Sequence, residues 1–126
     1  MSRKNTTTRS TAIYPVASPA ANFSTADIFA NGDTGVQLDI HVTGTFTGTS
    51  VTFTIFYWDI TSGTWLTTGL ATAAITAVGH ASLTIDPRIA VVANAAQSAI
   101  LPARFRVTST GTWTVLTVAI VATFAG

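Results

Sequence analysis

The chain contains no cysteine and no glutamate, a single lysine, Lys4, and only two histidines, His41 and His80. Without thiols it forms neither a disulfide nor a thiolate metal site, which removes thiol redox chemistry. With five aspartates as its whole acidic complement, it offers very little general acid–base capacity. The expectation is a protein that is not an enzyme and uses no cofactor. Charged residues make up 9% of the chain and apolar residues 48%, whereas a typical soluble domain carries about 25% charge. Much of the surface must therefore be neutral, and threonine supplies it.

At 126 residues the length fits one domain with one core. The charge is unevenly placed. Arg3, Lys4 and Arg9 sit in the first ten residues, and the remainder sets Arg88, Arg104 and Arg106 against the five aspartates. Residues 1–20 read as an extended, basic Ser/Thr-rich arm with Pro15 and Pro19, whose one apolar cluster is Ile13, Tyr14 and Val16. Residues 21–126 read as the folded domain. The N-terminus has basic residues but no apolar block behind them, so no secretion signal is expected. The uncharged C-terminal stretch is punctuated by threonine and glycine and alternates in polarity, which argues against a membrane helix.

Val36, Leu38, Ile40 and Val42 alternate with Gln37, Asp39, His41 and Thr43, the period-two signature of a strand with one wet face. "GTFTGTS", 44–50, is expected to break it. "VTFTIFYWDI" from Val51 begins as alternation and becomes apolar on both sides at Phe56 and Trp58. "TSG" then closes a hairpin into "TWLTT". A four-residue loop sets Trp58 opposite Trp65 and a three-residue loop sets Asp59 there, so the register stays open. Further strands are expected at 71–77, 80–85 and 103–108, and "RIAVVANAAQSAI" is the one segment whose pattern admits a helical turn.

In "TWTVLTVAIVATF" one row holds Trp113, Val115, Thr117, Ala119 and Val121, and the other Leu116, Val118, Ile120, Ala122 and Phe124. Short strands dense in threonine, valine and aromatics, without helical periodicity, spell an all-β fold: an antiparallel β-sandwich, jelly-roll-like. Strands apolar on both faces need a second cover, which points to a partner subunit and a homo-oligomer, with loops folded back as the alternative.

Candidate chemistry is thin. His80, Ser82 and Asp86 are close in sequence, but along a strand they form a wet row with Thr84 rather than a convergent triad, and no nucleophile elbow is present. Asp27, Asn31 and Asp33 could offer oxygens to calcium, yet they do not match the calcium-loop spacing and are explained by turn chemistry, so no metal site is expected. Trp58, Trp65 or Trp113 could stack on a sugar, against the simpler role of packing. No nucleic-acid surface is expected, because the basic residues of the body are scattered.

The cadence "DIHVTGTFTGTSVTFTIFYWDITSGTW", then "GHASLTIDP", then "LPARFRVTSTGTWTVLTVAIVATF" resembles the small β-sandwich structural proteins of tailed-phage virions, most of all the capsid decoration, or cement, proteins. The resemblance runs over roughly Val36 to Phe124. It implies a protein made in the host cytoplasm that binds the outside of a phage capsid as an oligomer, with a trimer favoured. Its partner would be the major capsid protein and its role the stabilisation of subunit joints. On that reading Arg3, Lys4, Arg9, Ile13 and Tyr14 are candidate partner-binding residues, and Phe56, Trp58, Trp65 and Trp113 are interface or packing aromatics. The alternative is a carbohydrate-binding accessory module of a phage head or tail. No membrane partner is implied.

Overall fold

A computed structural model describes residues 9–126. Strand β1 spans Arg9–Ala17, β2 Ile28–Phe29, β3 Gly35–Asp59, β4 Thr64–Ala71, β5 Gly79–Ile85, β6 Ala96–Gln97 and β7 Arg104–Ala125. There is no helix among the described residues. The main order is β1-β7-β3-β5-β6, with β2 against β7 and β4 against β3. Every pairing is antiparallel except β5 with β6.

The frame is a long ribbon of β3 and β7. The first half of β3 pairs with the second half of β7, from Val36↔Phe124 to Thr43↔Thr117, and the remaining halves pair from Val51↔Gly111 to Tyr57↔Phe105. Phe105 and Phe124 lie on one strand, yet their ring centroids are 6.4 Å apart. Laid straight, the residues between them would span roughly 60 Å. The ribbon is therefore bent double, and its two halves close as an antiparallel, jelly-roll-like β-sandwich.

The bend falls at the expected break, but the chain does not leave the sheet there. β3 continues through 44–50 with its register against β7 shifted between Thr43 and Ser50. Two glycines let the backbones pass: a Cβ at Gly48 would lie 2.5 Å from Trp113 Cα, and one at Gly111 2.1 Å from the Ser50 carbonyl oxygen. No side chain fits either gap. The expected strand at 103–108 and the C-terminal run are thus one element.

The core is the apolar row of each alternating segment. Leu38, Ile40, Val51, Phe53, Ile55, Phe105, Val107, Val118 and Ile120 are fully buried. Leu116, Ala122 and Phe124 complete one row of the C-terminal run, while Thr117, Ala119 and Val121 on its other row are only half-buried beside polar side chains. Ser10 and Ser18 bond Thr123 and Thr117 at the edges of that outer row.

Three further expectations need correction. Residues 9–17 of the supposed arm are an edge strand, paired with β7 from Arg9↔Phe124 to Ala17↔Val118, so the sandwich begins before residue 21. Pro15 is tolerated because an edge strand has one side free of ladder bonds, and the register shifts on either side of Tyr14. The expected strand at 71–77 shrinks to the end of β4 and one bridge, Ile75↔Val51. The segment open to a helical turn is irregular, with a Val92↔Ala96 bridge leading into β6.

Candidate functional site

One outer face of the sandwich gathers aromatics and arginines. At the hairpin between β3 and β4, Asp59↔Thr64 is the last pair, which leaves a four-residue loop and sets Trp58 directly opposite Trp65. The loop is built for that register. The Asp59 carbonyl accepts the Gly63 amide at 2.8 Å, and Gly63 has φ +65°, a left-handed conformation that glycine adopts freely. The Asp59 carboxylate accepts the Ser62 hydroxyl at 2.6 Å and its amide at 3.2 Å. The Ser62 hydroxyl is the main reason that the Asp59 carboxyl is held below its ordinary value.

Trp58 and Trp65 meet edge to face, with centroids 5.5 Å apart and planes at 66°. Both are half-buried. On β7, Arg104 and Arg106 flank the inward Phe105, so both point to this same face. The Arg104 guanidinium carbon lies 4.9 Å from the Trp58 centroid and 5.4 Å from that of Trp65, and the Arg106 carbon lies 4.2 Å from Trp65. Arg104 Nε donates to Asp27 Oδ2 at 2.8 Å. Arg106 pairs with no carboxylate among the described residues, and its Nε is buried without a hydrogen-bond partner there. Phe29, opposite Arg104 on β2, stands 54% exposed at the rim, and Ile60, 87% exposed, caps the hairpin tip.

This packing answers the problem of β3's two apolar faces. Val51, Phe53 and Ile55 enter the core, while Phe56 and Trp58 go outward, Phe56 opposite Arg106 and Thr67 and Trp58 opposite Trp65 with the Arg104 guanidinium over its ring. The second cover comes from within the chain, by guanidiniums laid on rings. Trp58 and Trp65 are thus brought together, Phe56 lies on the same face two residues before Trp58, and Trp113 is not among them. Its Nε1 donates to the Pro19 carbonyl at 2.8 Å, and its ring packs on the core.

Of the candidate partner-binding residues, Arg3 and Lys4 lie outside the described residues. The others are engaged within the chain. Arg9 pairs with Asp33 and covers the Phe124 ring at 4.2 Å. Ile13 and Tyr14 pack on the core, with Tyr14 stacked on Phe23 at 4.4 Å, and burial pushes the Tyr14 phenol up.

Asp27 and Asp33 each meet an arginine, and Asn31 and Gly32 take positive φ in a turn between them. His80, Ser82 and Thr84 form the outward row as expected, but Asp86 leaves it. Asp86 is buried and held by both arms of the Arg88 guanidinium, at 2.9 and 2.7 Å. The carboxylate beside His80 is Asp39 on the neighbouring strand.

Arg104, Arg106 and Asp27 were missed as parts of the site. The spacing "RFR" puts both arginines on one face, and that much is legible; which strand that face lies against depends on the β3–β7 pairing.

No protein-family model matches the chain, and no characterised protein matches it in sequence. Among solved structures, it is similar to one reported with Bacillus endospore appendages that form disulfide-linked pili, at 15% identity and a TM-score of 0.43, over 99% of this chain and 94% of that one. It is also similar to a carbohydrate-binding module, CBM28, specific for non-crystalline cellulose, at 13% identity and a TM-score of 0.38, over 97% and 75%. At these scores neither likeness bears on function.

Proposed function

We propose that the protein is a non-catalytic structural module that docks on a protein surface through the face formed by Trp58, Trp65, Arg104 and Arg106. The observation that carries this reading is the pair of guanidiniums lying on two half-buried tryptophans, one of them, Arg106, without a carboxylate among the described residues. Tryptophan and arginine are the residues most enriched where protein interfaces concentrate their binding energy. The sheet holds these groups rigidly, so little side-chain freedom is lost on docking. An acidic side chain of the partner would complete Arg106.

The sequence resemblance to capsid decoration proteins makes a phage shell, with its major capsid protein, the first partner to test, and a virion surface the corresponding location. The docked form would be a homo-oligomer, as a trimer, bridging subunit joints. A sugar platform is less well supported by the geometry, because stacking needs an open ring face and Arg104 and Arg106 lie over faces of both tryptophans.

Co-sedimentation of the purified chain with undecorated shells, run beside a glycan array, tests the proposal. Saturable binding to shells with no glycan signal supports it. Glycan binding without shell binding overturns it in favour of the carbohydrate module.

A further inference from the structure

The other outer face of the sandwich gathers both histidines of the chain. His41 on β3 and His80 on β5 are direct cross-strand partners, both exposed, with ring centroids 4.7 Å apart and planes tilted by 36°. Asp39 lies two residues before His41 on the same face, and its Oδ1 is 3.2 Å from His80 Nε2. That oxygen is held in place: Ser82 Oγ donates to it at 2.8 Å and Gln37 Nε2 at 3.1 Å. Burial pushes the Asp39 carboxyl up, but the hydrogen bonds from Gln37, Ser82 and His80 together outweigh it and hold it below its ordinary value. Across β3 on the other side, β7 sets Ala119 opposite His41 and Val121 opposite Asp39, so neither register neighbour on that strand adds a charge.

Two ligands bound to one tetrahedral zinc at ordinary bond lengths stand about 3.3 Å apart. The separation of His80 Nε2 and Asp39 Oδ1 is already 3.2 Å. Among the described residues no three such side chains stand in ligating positions together as they lie. The third would come from His41, whose ring centre is 4.7 Å from that of His80, whose side chain is exposed and whose χ2 torsion is broad.

We propose that His41, His80 and Asp39 form a surface site for one divalent transition-metal ion of the zinc class, with Ser82 and Gln37 fixing the carboxylate and a fourth position left open. Imidazole with a single carboxylate suits such ions, whereas magnesium and calcium take oxygen-rich sets. The site is on the opposite face from the tryptophans, so it stands or falls separately from the docking reading.

The test is calorimetric titration of the untagged full chain, stripped with EDTA, with zinc chloride at pH 7.5 and magnesium chloride as the control. One zinc per chain is expected, with a rise in melting temperature that grows with zinc concentration and no response to magnesium. His41→Gln and His80→Gln should each weaken zinc binding by about tenfold or more, and Asp39→Asn by less. Both histidines are exposed, and circular dichroism would confirm that the variants fold. Absence of zinc binding by the wild-type chain at millimolar metal, or binding unchanged in both histidine variants, overturns the proposal.

Discussion

Arg106 carries its guanidinium carbon 4.2 Å from the centre of the Trp65 ring, on a strand that does not itself pair with β4. β3 lies between them, with Phe56 opposite Arg106 and Trp58 opposite Trp65. A cation over an aromatic ring contributes about 0.5–1 kcal/mol when exposed and about 2 when desolvated, and an aromatic pair adds about 0.5–1.5. An exposed ion pair gives about 0–1 kcal/mol. The contacts on the rings therefore hold this face together, and Asp27 mainly aims Arg104.

The corner where the ribbon bends should be the least tolerant position of the fold. Gly111→Ala places a methyl group 2.1 Å from the Ser50 carbonyl oxygen, and since that oxygen is backbone and the methyl is fixed rigidly to its own backbone, the clash relaxes only by parting β3 from β7. Thermal melting should show a loss of several degrees or more, whereas alanine at Gly32, where a Cβ meets nothing within 4 Å, should lower stability by only about 1 kcal/mol through its positive φ.

The edge strand should matter more than an arm would. Tyr14→Ala removes the stack on Phe23 and part of the cover over the core, and should cost about 1–3 kcal/mol. A chain beginning at Ser18 should melt lower still and aggregate more readily, since β7 would then present an unpaired edge. Melting temperature and light scattering read both effects.

Acid should destabilise the fold through the carboxylates. Asp86 is held below its ordinary value first by the Arg88 guanidinium, and Asp39 and Asp59 are also lowered. A depressed carboxyl stabilises the folded state above its unfolded pKa of about 3.9 and loses that contribution as pH falls through the folded value. The carboxylate contribution to melting temperature should therefore hold constant from pH 7 to 5 and decline below about pH 4. Asp86→Asn should flatten part of that decline.

The strand from Val36 to Val42 was legible because one of its faces is wet, so polarity alternates residue by residue. β1 was not, because an edge strand carrying Pro15 shows no clean alternation and gets its order from β7. The passage through Gly44–Ser50 reads as a turn in sequence, since glycine and threonine serve a turn and a bent ribbon alike. Only the matching glycine at Gly111 on the partner strand distinguishes the two. At the site, loop chemistry narrowed the Trp58–Trp65 register to two choices, and Asp59 with Gly63 decides between them. Arg104 and Arg106 escaped notice because their neighbours come from strands far away in the chain, and Asp39 beside His80 was hidden for the same reason.

The docking claim is tested most directly by co-sedimentation with undecorated shells of three chains in parallel: wild type, Trp65→Ala and His41→Ala. The first substitution strips the aromatic face, and the second alters the opposite outer face. Docking through Trp58, Trp65, Arg104 and Arg106 predicts that Trp65→Ala weakens binding by about tenfold or more, the effect of a central interface tryptophan, while His41→Ala binds as wild type does. Equal binding by all three, or loss confined to His41→Ala, would contradict it.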